Sequence, residues 1–218
     1  MNTNSFKSSF EQKLGYIVYT PDCYDKQKKY PLIVALHGAG ERGNGEDELI
    51  FTQNIGLGRY FKEGLMDIPC VVLTPQCPCG RVWNQMVFIL KDLIDKVISD
   101  YNIDEDRVSI TGMSMGGFGT WEMGMTFPDM FSCMAPICGG GMAWKTDALN
   151  KMPIWAFHGD ADTTVNINQS YDMVNGARKN GADVKFTIFN NVGHNSWDPA
   201  YLDTCVVDWL VSHNRKDK

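Results

Sequence analysis

Gly112-Met113-Ser114-Met115-Gly116 is a G-x-S-x-G pentapeptide between two stretches of opposite character. Arg107 to Thr111 before it reads as a short buried strand. Gly117 to Phe127 after it reads as a helix stopped by Pro128. A strand that turns directly into a helix leaves its corner residue in a strained backbone conformation, and side chains on the flanking residues would strike the neighbouring strand or helix. Glycine on both sides removes that clash. The corner residue, Ser114, then carries its hydroxyl clear of the backbone.

Outward from this corner the chain alternates strands and helices. Gly15 to Thr20 reads as an edge strand, and Pro31 to Leu36 as an apolar strand covered on both faces. Glu46 to Glu63 reads as a loop and a helix, and Cys70 to Thr74 as a buried strand. Gln85 to Tyr101 has Phe88, Leu90, Leu93, Ile94, Val97 and Ile98 at helical spacing. Strands at Cys133 to Cys138, Ile154 to Phe157 and Val184 to Phe189 follow, with a helix around Ile167 to Asn180 between the last two. Tyr201 to His213 closes as an amphipathic helix with Leu202, Val206, Trp209 and Leu210 on one face. This order predicts an α/β fold: one domain, residues 1–218, with a mostly parallel sheet flanked by helices on both faces and no substantial cap. Ligands of such sheets bind beyond the carboxyl ends of the strands.

The bulk composition narrows the partners. The 218 residues are 44% hydrophobic and 21% charged, as in an ordinary globular protein. A net charge of −6 argues against a nucleic-acid or anionic-membrane partner. No apolar run spans a bilayer, and Met1 to Gln12 lacks the apolar stretch of a secretory signal, so a cytoplasmic location is expected. The seven cysteines, an odd number, suit buried free thiols. Cys77-Pro78-Cys79 is the one close pair, and nothing completes a zinc site around it. No metal or organic cofactor is expected.

A serine hydroxyl needs a base, and the base needs an orienting acid. Of the four histidines, His37 and His158 each end a strand before a glycine and read as braces for their loops, and His213 as surface. His194 lies after the last strand and before the last helix, where a base that serves Ser114 would sit. The acid should follow the preceding strand, where His158-Gly159-Asp160-Ala161-Asp162 offers two; Asp162 reaches further into the loop, and Asp160 suits a turn hydrogen bond. An oxyanion hole would come from the backbone N–H of Met115 and of Ala39, with Gly40 the alternative to Ala39. Trp83, Trp144 and Trp197 fall in loops after strand ends, where they either border the substrate, together with Gly40, or cover the open edge of the core. Arg42 is expected to pair with Glu41 or an adjacent acid.

With these pieces assembled, the chain resembles the α/β-hydrolase superfamily. More narrowly it resembles the bacterial carboxylesterases often called predicted peptidases, which are related to phospholipase/carboxylesterase and polyhydroxybutyrate-depolymerase-like esterases. The matching segments are Tyr30-Pro31-Leu32 into His37–Gly43, Thr74–Pro78, Gly112–Trp121, His158–Val165 and Gly193–Tyr201. The resemblance implies Ser114, Asp162 and His194 as triad, Ala39 and Met115 as oxyanion hole, and a serine carboxylesterase acting on short-chain or carbohydrate-linked acyl esters. A peptidase or thioesterase on the same triad, and a non-catalytic binding protein that keeps the fold, are the alternatives.

Overall fold

The computed structural model describes residues 2–7, 13–66 and 68–218. Residue 1 and residues 8–12 of the polar start lie outside the described residues. Eight strands of the described residues form one sheet: β1 (Asn2–Lys7), β2 (Lys13–Tyr19), β3 (Tyr30–Leu36), β4 (Val71–Pro75), β5 (Ile103–Met113), β6 (Cys133–Ile137), β7 (Pro153–Gly159) and β8 (Asp183–Phe189). Their spatial order is β1-β2-β4-β3-β5-β6-β7-β8. The pairs β1–β2 and β2–β4 are antiparallel, and the other pairings are parallel. Among the described residues, six helices cover it: α1 (Gly56–Lys62), α2 (Val87–Asp100), α3 (Met115–Thr126), α4 (Asn168–Lys179), α5 (Trp197–Leu202) and α6 (Val206–Ser212).

The two-residue period of a strand divides β3 between two cores. Leu32, Val34 and Leu36 point into one, with Leu90, Leu93 and Ile94 of α2, Trp121 of α3 and Met173 of α4. Ile33 and Ala35 point into the other, with Leu57 and Tyr60 of α1, Tyr201 of α5 and Leu210 of α6. Each fully buried aliphatic side chain stabilises the fold by about 1.5–3 kcal/mol relative to exposure. That is why the continuous apolar run of β3 occupies an interior position in the sheet.

The structure revises three sequence expectations. The strand expected at the edge, β2, is paired on both sides; the edge belongs to β1, whose register runs from Asn2 opposite Val18 to Lys7 opposite Lys13. Its polar sequence hides it, because β1 is held by main-chain bonds and turns little but Phe6 toward the core. In α2, Phe88 faces outward, edge-on to Phe127. The closing helix is two helices. The Thr204 hydroxyl donates to the Ala200 carbonyl at 2.6 Å and accepts from the Val206 N–H at 3.1 Å, ending α5 and starting α6. Leu202 is thereby left exposed.

The contact of β3 with the start of α3 depends on Gly116. A Cβ there would stand 2.1 Å from the Leu36 carbonyl oxygen and 2.8 Å from that of His37, both backbone atoms with little room to retreat. Gly116→Ala is therefore expected to destabilise the protein by about 1–3 kcal/mol, read as a lower urea midpoint at unchanged slope. An unchanged midpoint would contradict this packing.

Candidate active site

Adjacent parallel strands deliver the site residues side by side. The loop after β3 carries Gly38 and Ala39, β5 runs into Ser114, β6 into Cys138, β7 leads to Asp162 and β8 to His194. Ser114 sits between β5 and α3 at φ 55°, a left-handed conformation that costs a non-glycine residue about 1–3 kcal/mol. Its N–H is held by the Ile137 carbonyl at 3.0 Å and lies 3.3 Å from Cys138 Sγ. The hydroxyl is held in turn: Ser114 Oγ is 2.9 Å from His194 Nε2, and His194 Nδ1 is 2.7 Å from Asp162 Oδ2. Since the carboxylate only accepts, Nδ1 carries the ring proton and Nε2 is free to accept from Ser114.

Asp162 is buried and fully engaged. Its Oδ1 accepts the N–H groups of Thr164 at 2.8 Å and Val165 at 2.9 Å. Burial alone would raise its pKa; the donors His194, Val165 and Thr164 outweigh that and hold the carboxyl below its usual range. Asp160 makes a different contact, accepting the Asn191 N–H at 2.6 Å. Together with Ala161 N–H to Val192 O at 3.0 Å, this stitches the loop after β7 to the loop after β8. The His194 loop is also anchored from below, where the Tyr60 hydroxyl donates to Asp198 and the Asn195 amide reaches Asp198 at 2.9 Å.

On the other side of Ser114, a Cβ on Gly38 would stand 3.7 Å from Ser114 Cβ, so the loop after β3 runs beside the hydroxyl. Ala39 and Gly40 are exposed there, and Met115 opens α3, where first-turn N–H groups have no intrahelical acceptor. Arg42 does not pair with Glu41. Its Nε donates to the Ala39 carbonyl at 2.8 Å and its Nη1 lies 3.4 Å from the Arg81 carbonyl, which ties the loop down.

The aromatic residues separate. Trp83 is fully buried, donating its indole N–H to the His37 carbonyl at 2.9 Å, and cannot border a substrate. The missing side chain of Gly119 makes room for it, since a Cβ there would stand 2.5 Å from Trp83 Cβ. Trp144 is 79% exposed. Trp197 is half-buried and edge-on to His194, with ring centroids 5.5 Å apart.

Cys138 enters the site unannounced by the sequence reading, which left it among the buried strand thiols. Its sulfur, an Asp162 oxygen and a His194 nitrogen all lie within 4.8 Å of one another, a cysteine–histidine–aspartate cluster. This corrects the expectation of a serine carboxylesterase, and of a serine hydrolase, read from Ser114 alone: the site holds a second candidate nucleophile. The signal that could have found it is positional: Cys138 follows the strand between those that carry Ser114 and Asp162. Burial pushes the thiol up to about 12, with the Ser196 hydroxyl and the Ser114 N–H pulling the other way.

The comparisons agree with the architecture. The dienelactone hydrolase family matches residues 7–198. The chain belongs to this family, within the α/β-hydrolase superfamily. A bifunctional acetylxylan esterase/xylanase of Neocallimastix patriciarum is 27% identical over 158 residues, covering 70% of this chain and 22% of that protein. Poly(3-hydroxyalkanoate) depolymerase C of Paucimonas lemoignei is 43% identical over 125 residues, covering 50% of this chain and 28% of that protein. The chain thus spans about a quarter of the length of these relatives. The crystal structure of a thermostable esterase superposes with a TM-score of 0.84 at 31% identity, covering 98% of this chain and 63% of that one. No helix among the described residues is long and apolar enough to cross a membrane.

His37 gives the site a pH-dependent foundation. It is buried, accepts the Cys77 N–H on Nε2 at 2.9 Å and donates from Nδ1 to the Gly38 carbonyl at 2.6 Å. Burial pushes the ring down to about 4, against the Gly38 carbonyl, which raises it. The unfolded chain binds this proton below about 6.5, where the folded chain does not. Stability contributed by neutral His37 is therefore complete above that pH and is lost as pH falls toward 4. The urea midpoint should drop across this window, and less steeply in His37→Gln; equal slopes in the two proteins would contradict the assignment.

Proposed function

We propose that this chain is an acyl hydrolase of small-molecule esters, with Ser114, His194 and Asp162 as its proton relay and the Ala39 and Met115 N–H groups as its oxyanion hole. The observation that carries this reading is the 2.9 Å contact between His194 Nε2 and Ser114 Oγ, in line with the 2.7 Å contact to Asp162. His194 takes the Ser114 proton as the oxygen attacks the substrate carbonyl. The two N–H groups receive the charge that develops on the carbonyl oxygen, and the first-turn dipole of α3 adds to them. The C–O bond to the leaving group breaks, and the leaving oxygen takes the proton from His194. Water then gives a proton to the same nitrogen and attacks the acyl carbonyl; the C–O bond to Ser114 breaks, Ser114 Oγ takes the proton back from His194, and the acid is released.

The thiol supports a second reading, in which Cys138 is the nucleophile and Ser114 a neighbour. Two observations weigh against it. Cys138 is completely buried, whereas Ser114 is partly open, and its thiol is held far toward the protonated form. A thiol of that kind is inert as a nucleophile at neutral pH. The exposed loop positions around Ser114 favour small or projecting acyl groups, and a thioester presents the same carbonyl with a better leaving group.

Turnover of p-nitrophenyl acetate and of a short acyl thioester by the wild type, Ser114→Ala and Cys138→Ala separates the two. Ser114→Ala is expected to lose about 10⁴-fold or more in kcat, as Asp162→Asn should, while Cys138→Ala keeps most of its turnover. Loss in Cys138→Ala with Ser114→Ala active would give the role to the thiol. A wild type without turnover on either substrate would overturn the hydrolase reading.

A further inference from the structure

Asp162 is touched by two imidazoles, and the proposed relay uses one of them. His158, at the end of β7, is completely buried. Its Nε2 lies 2.9 Å from the Val165 carbonyl oxygen and 3.2 Å from Asp162 Oδ2, the same oxygen that accepts from His194. Both neighbours of Nε2 only accept, so that nitrogen carries a proton. On the far side of the ring, Nδ1 lies 2.7 Å from Ser170 Oγ. The Ser170 hydroxyl has a second acceptor within reach, the Gly139 carbonyl at 2.9 Å. If Ser170 gives its proton to Gly139, the His158 ring must be an imidazolium; if it gives it to Nδ1, the ring is neutral. Burial disfavours the charged ring, so Ser170 donates to Nδ1 and fixes the Nε2–H tautomer.

We infer that His158 is a positioning residue for Asp162, sharing its Nε2–H between the Val165 carbonyl and Asp162 Oδ2. The inference rests on the proposed reading of Asp162 as the acid that orients His194. The charged and titratable groups facing this pair are His194, across the carboxylate, and Cys138, at the end of β6. With two N–H donors on one oxygen, the carboxylate is aimed, and its attraction for the His194 proton is tempered. Taking away the His158 donor leaves Asp162 Oδ2 to His194 alone. The carboxylate then holds the imidazolium more firmly, and a higher pH is needed to free the base.

A pair of near-isosteres isolates the donor. The amide nitrogen of Gln overlies Nε2 and that of Asn overlies Nδ1, so His158→Gln keeps a donor toward Asp162 and His158→Asn keeps only the Ser170 side. The acid limb of kcat/KM and the titration of the His194 ring, followed by long-range ¹H–¹⁵N spectra, are compared in wild type and both variants, with the melting temperature of each. His158→Asn is expected to move both the limb and the ring titration to higher pH by about half a unit and to lower kcat about tenfold with KM little changed. His158→Gln should stay near the wild type in both. Equal pH behaviour in the two variants, whatever the loss of melting temperature, overturns the inference and leaves His158 a loop brace. The ring titration reads the coupling without turnover. A wild type that hydrolyses nothing therefore counts against the proposed function, while a His194 titration unmoved in His158→Asn counts against this inference.

Discussion

The hydrogen bond between His194 and Ser114 joins residues 80 positions apart in the chain, and the fold around it keeps those two atoms 2.9 Å apart. Neither partner is placed by its own side chain. Ser114 is held by a backbone angle that serine resists, locked by the Ile137 carbonyl on the neighbouring strand. His194 is held because its loop is sewn to the loop after β7 and propped on Tyr60 through Asp198. Parallel pairing puts the strand ends in one row, so short loops suffice to bring a hydroxyl, a thiol, a carboxylate and an imidazole together.

The same row explains why the chemistry is more crowded than a three-residue site. β6 lies between β5 and β7, so whatever follows β6 must enter the cluster. Here that is Cys138, at φ 39°. Its sulfur faces the N–H of Ser114 and the Asp162–His194 pair. Burial covers this thiol and pushes its pKa up, whereas the hydroxyl beside it is partly open and hydrogen-bonded to His194. The division of exposure between two potential nucleophiles is what the proposed mechanism depends on.

What the sequence discloses is what local chemistry dictates. A glycine pair around a serine, between a β-branched run and a helix, announces a strained corner because the clash it avoids is local. The apolar strands announce themselves because both faces are covered. Nonlocal features stay hidden. β1 is polar and exists through its partner's main chain, and α5 and α6 part at a threonine that helical periodicity overlooks. Trp83, which by position looked open to substrate, is buried because Gly119 on α3 vacates its place. Cys138 and the second imidazole on Asp162 depend on which strands are neighbours, and that order is written in no single segment.

The most direct measurement of the central claim is the site of the acyl group itself. The protein is reacted with an activated acyl ester, quenched in acid and digested, and the acylated peptide is sequenced by mass spectrometry. The account predicts one acyl group, on the Ser114 hydroxyl. An acyl group on Cys138, or none in folded protein, would contradict it.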